Sequence, residues 1–177
     1  LGIFAGSFTL EAAVGVVPAI DGADTGSVLA DLVCKSLLSV DIGSDLTRFR
    51  LLEITRAFAL SKLIEKSERA ALAIRLVSFV TKTLRKCSEG PYRVQTARDA
   101  VQELDNVRGI LGWAFLPNGT KQAGVALAAA AVPVWLENSL LTECVAWTTK
   151  AIEGIEPSVD GEHDEMVLKA AFGLAVM

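Results

Sequence analysis

The chain is poor in the residues that most often carry chemistry. Among 177 residues there is one histidine, His163, and three cysteines, Cys34, Cys87 and Cys144, set far apart. A single histidine excludes a His-rich metal site. An odd, unclustered set of thiols reads as reduced and mostly buried, the usage of a cytoplasmic protein, and not as a disulfide framework. Long apolar runs are missing too. The longest uncharged stretch, Gln122 to Leu136, has 15 residues and contains Pro133, short of the roughly 20 that a membrane-spanning helix needs. No basic segment precedes an apolar one at the start, so no signal peptide is expected. Nor is there a G-x-x-x-x-G-K-[ST], G-x-S-x-G, H-E-x-x-H or C-x-x-C pattern. The phosphate-cradling loop and the common nucleophile and zinc constellations are therefore absent. The chain is expected to be no enzyme and to hold no cofactor. A Cys–His pair would need His163, which lies in the acidic stretch Asp160 to Glu165 and reads as part of a solvated loop.

What is present is ample apolar surface: 51% hydrophobic residues against 21% charged, with a net charge of −4. Such a chain folds, since burial offsets the ordering entropy, and its length suits one medium domain or two small ones. The acidic balance argues against a surface that grips nucleic acid throughout. Both ends are apolar, Leu1-Gly2-Ile3-Phe4 and Ala170 to Met177, whereas termini are usually polar. This predicts a segment cut from a longer chain. It also predicts a final helix that either packs back on its own array or, as favoured here, joins a second copy in a homodimer.

Residues 1–66 change periodicity several times. Ser7 or Thr9 is placed to cap a short helix through Val17, ended by Pro18, and Asp24 or Thr25 to cap a second running to about Lys35. Leu37 to Ile42 and Leu46 to Leu51 alternate with period two around Gly43-Ser44-Asp45, the pattern of a hairpin. Alternation puts Arg48 and Arg50 on one side and Phe49 and Leu51 on the other. Glu53 opens a third helix with Ile54, Ala57, Phe58 and Ser61 along one side. Helix, helix, hairpin, helix is the element order of a winged-helix module.

From residue 67 on there is no strand signal. Ala73, Val77, Val80 and Leu84 mark a long amphipathic helix from about Glu68 to Lys86. Ala97 through Ala114 carry another to about Phe115, and Leu116 to Gly119 is a turn. An Ala-rich helix follows, kinked or broken near Pro133. Asn138 or Ser139 caps a helix bearing Leu141, Val145, Thr148 and Ile152, and a last helix starts near Glu162. The fold class is thus mainly α: a winged-helix module over 1–66, then an antiparallel helical array over 67–177 that is tetratricopeptide-like in style and lacks a strict repeat.

Four segments resemble a known pattern. Leu1 to Ala13, Asp31 to Leu38, Arg48 to Leu60 (R-F-R-L-L-E-I-T-R-A-F-A-L) and Glu103 to Ala114 (E-L-D-N-V-R-G-I-L-G-W-A) are similar, in that order, to segments of bacterial STAND-type transcriptional regulators. These combine a nucleotide-binding ATPase core with a winged helix and tetratricopeptide-like helices. The likeness covers residues 1 to about 115 and is specific only as a set. It implies an ATPase module before Leu1 as partner, further helical repeats after Met177, and a protein or small-molecule effector. In related ATPases a winged-helix histidine can touch nucleotide; residues 1–66 contain none, so no nucleotide contact is assigned.

The remaining candidates are charged. Arg48, Arg50 and Arg56 are of the type that reaches DNA phosphates or a minor groove, or that pairs with Asp41, Glu53 or a neighbouring domain. Residues 1–66 hold 6 basic and 8 acidic side chains, and the second helix offers only Lys35 against Asp31. An interdomain or partner contact is therefore expected, and DNA binding as a free-standing winged-helix protein is the alternative. Asp105 and Arg108, three apart on a helix, are placed to pair, and Asn106 to bond a neighbouring loop. The three tryptophans read as core or groove lining. Charge is uneven: Arg48 to Lys121 holds 14 basic and 7 acidic residues, Glu137 to Met177 holds 2 and 8. Such halves suit docking onto a charged partner or facing each other.

Overall fold

The computed structural model describes residues 1–18, 24–42, 46–89, 93–155 and 162–176. The expected turn at Gly43 to Asp45 and the acidic loop 156–161 lie outside them, as do the side chains of Glu162 and His163. The described residues are mainly helical, with one small antiparallel sheet. The chain divides into two compact units, Leu1–Phe79 and Val80–Met177.

The first unit runs β1 (Phe8–Thr9), α1 (Leu10–Val16), α2 (Thr25–Cys34), β2 (Leu38–Asp41), β3 (Arg48–Leu51), α3 (Glu53–Glu65) and the beginning of α4 (Arg69–Glu89). Thr9 caps α1 by accepting from the Ala12 N–H, and Asp24 caps α2 by accepting from the Ser27 N–H. Both caps stand where short oxygen-bearing side chains precede an apolar run. The sheet has the order β1-β3-β2, with Phe8 opposite Phe49 and Leu38 opposite Leu51. β1 adds a strand that the hairpin pattern does not announce. Its Phe8 is fully buried, stacked on Phe4 at 4.4 Å. With Ala12, Ala13, Val16, Leu29 and Leu38 these rings form the core of the module.

α3 begins at Glu53, where the sequence places it. None of its residues is buried. Ile54 is 87% exposed and Phe58 64%, so the side with Ile54, Ala57 and Phe58 faces away from the core. The helix is held at its other side, where a Cβ on Gly2 would lie 2.7 Å from the Ala59 Cβ and 2.8 Å from the Leu60 nitrogen.

The second unit holds the rest of α4, then α5 (Arg93–Gln102), α6 (Leu104–Ala114), α7 (Lys121–Glu137), α8 (Leu141–Glu153) and α9 (Glu162–Val176). The single helix expected from Ala97 to Phe115 is two. A tighter turn, with the Glu103 N–H donating to the Ala100 carbonyl at 3.1 Å, separates them. α7 is unbroken through Pro133, although proline has no N–H to donate to the Ala129 carbonyl. Almost all of α7 from Gly124 to Trp135 is buried, which explains its uniformly apolar composition. α8 has no side-chain cap: the Asn138 amide donates backwards to the Val134 carbonyl at 2.8 Å, and Ser139 takes φ 57° in the turn. Between α6 and α7, Gly119 lies so close to the Trp113 carbonyl that a Cβ would sit 2.2 Å from its oxygen. α9 packs on both α7 and α8 through the buried Leu168 and Ala171, while Met166, Phe172 and Leu174 stay exposed.

Candidate functional site

The three arginines of the first unit do not form one surface. Arg48 is only 4% exposed. Its Nε donates to the Ser7 Oγ at 2.9 Å and its Nη2 to the Ser7 carbonyl at 3.1 Å. Ser7 immediately precedes β1, so the guanidinium ties the first strand to β3. Arg50 is exposed, two residues along the same strand. Arg56 donates to both Glu53 oxygens, at 2.9 and 3.5 Å, on the first turns of α3. That guanidinium holds the Glu53 carboxyl below its usual range by hydrogen bond and charge, with a smaller contribution from Arg50. In α2, where a winged helix would present a reading helix, the exposed residues are Ser27, Ala30, Asp31 and Cys34. Of these only Asp31 is charged, and the exposed Lys35 follows at the helix end.

Asp105, Asn106 and Arg108 lie together at the start of α6 but face different ways. Asn106 is fully buried and its amide donates to the Glu103 carboxylate, itself 4% exposed, at 2.8 Å. A buried acid held by a buried amide is the polar centre of the α5–α6 junction. Arg108 is half-exposed and joins two carboxylates. It donates to Asp105 at 3.0 Å, and in a fork to both oxygens of Glu143 on α8 at 2.9 and 2.8 Å. These hydrogen bonds raise the Arg108 pKa further. Arg85 on α4 likewise donates to Asp164 on α9 at 3.1 Å. Both links run from the basic to the acidic half of the chain, within the second unit.

The thiols depart from expectation. Only Cys144 is buried; Cys87 is half-buried and Cys34 is exposed. Burial pushes the Cys144 and Cys87 thiols up, and for Cys87 the Asp99 and Glu103 carboxylates push the same way. Trp113 and Trp135 are core residues, while Trp147 is half-buried and stacked on Phe115. Among the described residues no group of three or more His, Cys, Asp or Glu side chains is placed to hold a metal, and no helix is long and apolar enough to cross a membrane.

The chain is 34% identical over 156 residues to proteins of Mycobacterium tuberculosis and Mycobacterium bovis that are provisionally named HTH-type transcriptional regulators. The match takes in 85% of this chain and 17% of each relative. The chain is thus similar, over most of its length, to one segment of much longer proteins named as regulators. No family model and no solved structure matches it.

Proposed function

We propose that the chain is a non-catalytic regulatory segment of a STAND-type transcriptional regulator. In this reading the winged-helix module couples a neighbouring nucleotide-binding ATPase to signal or partner binding by the tetratricopeptide-like helices. The likeness to named regulators and the four ordered sequence segments support it. The observation that carries it is the outer side of α3. Ile54 and Phe58, one turn apart, are large, apolar and mostly exposed, and contiguous exposed apolar residues mark interaction surfaces. On the opposite count, Arg48 is spent on Ser7, Arg56 on Glu53, and α2 shows outward only Asp31 and, at its end, Lys35. These pairings, and the carboxylate on the outer side of α2, support contact with protein over contact with phosphate. Mechanistically it moves as a rigid body between two states whose balance the helices bias through a bound partner.

The purified chain, titrated with labelled duplex DNA across a salt series and with ATP by calorimetry, tests this. No duplex binding tighter than about 10⁻⁵ M is expected, and no ATP binding or turnover. Ile54→Asp with Phe58→Asp should leave the melting temperature unchanged, because neither side chain serves the core. Micromolar DNA affinity that falls steeply with salt, micromolar ATP binding, or collapse of the double variant would each overturn the reading.

A further inference from the structure

The second unit contains a cleft of about 360 Å³ at the end of α6, the start of α7 and the end of α8. Leu111, Phe115 and Trp147 form its apolar wall, the two rings stacked with centroids 6.3 Å apart. Lys121 and Lys150 line it as well, with Glu153 as the single carboxylate among the lining residues. Among the described residues neither ammonium lies within ion-pair distance of a carboxylate. Lys150 instead rests 4.7 Å from the centroid of the Trp147 ring. Gly112, also in the lining, leaves the space in front of α6 open: a Cβ there would meet nothing within 4 Å.

Each feature narrows what fits. The volume lies at the lower end of small-molecule sites, which run from roughly 300 to 1,000 Å³. Two cations against one anion leave a single positive charge, matched by a monoanion; Glu153 would repel the second charge of a phosphate ester. An exposed cation on an indole face is held by only about 0.5–1 kcal/mol. An entering carboxylate therefore draws Lys150 off the ring and frees that face for stacking. We propose that this cleft binds a small planar aromatic carboxylate, its acid group taken by Lys121 and Lys150 and its ring laid against Phe115 and Trp147. The proposal stands on the cleft itself, and it supplies the regulatory reading with a small-molecule effector site.

The probe is 2-naphthoate, followed by tryptophan fluorescence and by calorimetry on the whole chain, with uncharged 2-naphthamide as the comparison. Saturable one-to-one binding is expected, with a Kd of roughly 10⁻⁴ M or tighter. The amide, which loses both charge-assisted bonds, should bind about a hundredfold more weakly, and Lys121→Gln and Lys150→Gln should each lose about tenfold, the value of one such bond. Gly112→Leu should abolish binding without lowering the melting temperature, since leucine favours the helix and meets no neighbour. Absence of saturation at millimolar naphthoate, equal affinity for the amide, or wild-type binding by Gly112→Leu would each overturn the proposal. The DNA and ATP titrations are read separately on the same protein, so the two readings fail independently.

Discussion

Arg48 and Arg50 invite the same description in the sequence, yet replacing them should have opposite consequences. Arg48→Met keeps most of the buried aliphatic stem and deletes the guanidinium. What is lost is at least the pair of bonds to Ser7 Oγ and the Ser7 carbonyl, at 2.9 and 3.1 Å, from a side chain only 4% exposed. A hydrogen bond to a charged group is worth about 1.5–3 kcal/mol net, and the acceptors left behind are half-buried, so a total of about 2 kcal/mol follows. For a unit of this size that amounts to a fall in melting temperature of about 8–16 °C if it melts on its own. Arg50→Met alters an exposed position and should stay within about 0.5 kcal/mol of wild type. Urea denaturation followed by circular dichroism measures both. If Arg48→Met lies within about 0.5 kcal/mol of wild type, or the two variants lose equally, the buried tie to β1 is not what Arg48 supplies.

Ser139→Gly should raise stability by about 0.5–1 kcal/mol, because φ 57° there suits glycine better than an L side chain; a lower urea midpoint would contradict this. Arg108→Gln should lower stability by about 1 kcal/mol by removing the fork to Glu143 and the bond to Asp105, at the upper end for surface pairs. The loss should shrink at high salt, and a salt-independent loss would point to packing instead. Under native conditions at neutral pH one thiol should react quickly with a disulfide reagent, and Cys34→Ser should remove it, since Cys34 alone is exposed. Cys87 and Cys144, with thiol pKa values raised by burial, stay protonated and should react only after denaturation. Fast labelling of Cys34→Ser would contradict the slow reaction expected of Cys87 and Cys144.

Local signals were legible where the deciding chemistry is local. The caps at Thr9 and Asp24 need only an oxygen within three residues of the helix start, and both fell where that pattern stands. The hairpin strands followed from alternation, and the α4 residues Ala73, Val77, Val80 and Leu84 are all buried. What was hidden depends on residues far apart in the chain. β1 is two residues long and exists as a strand only because Phe8 and Thr9 meet Phe49 and Arg48. Period two placed Arg48 and Arg50 on one side of β3 but could not tell that Ser7 covers one and not the other. The break between α5 and α6 has no glycine or proline; the buried Glu103–Asn106 pair stands where it occurs. Ser139 resembled a start signal, but in the structure it ends α7, with the Leu140 N–H donating to the Trp135 carbonyl at 2.8 Å. Of the candidate residues, the Asp105–Arg108 pair was visible from spacing. The cleft was not, because Lys121 and Lys150 are 29 positions apart and neither belongs to a motif.

The contrast between α3 and α4 bears most directly on function. Both helices carry apolar side chains at three-to-four spacing, and periodicity alone predicts a buried side for each. α4 meets that expectation, with Leu76, Val80 and Leu84 fully buried. α3 does not, since Ile54 and Phe58 stand mostly in solvent. Nothing in helix propensity favours isoleucine or phenylalanine at exposed positions over lysine or glutamate. Each side chain left out forgoes roughly 1.5–3 kcal/mol of burial. On the proposed reading, a partner covers the apolar side of α3 that its own fold leaves exposed. Polar replacement of Ile54 and Phe58 therefore separates the two roles of α3: the fold should survive it, and docking to a partner should not.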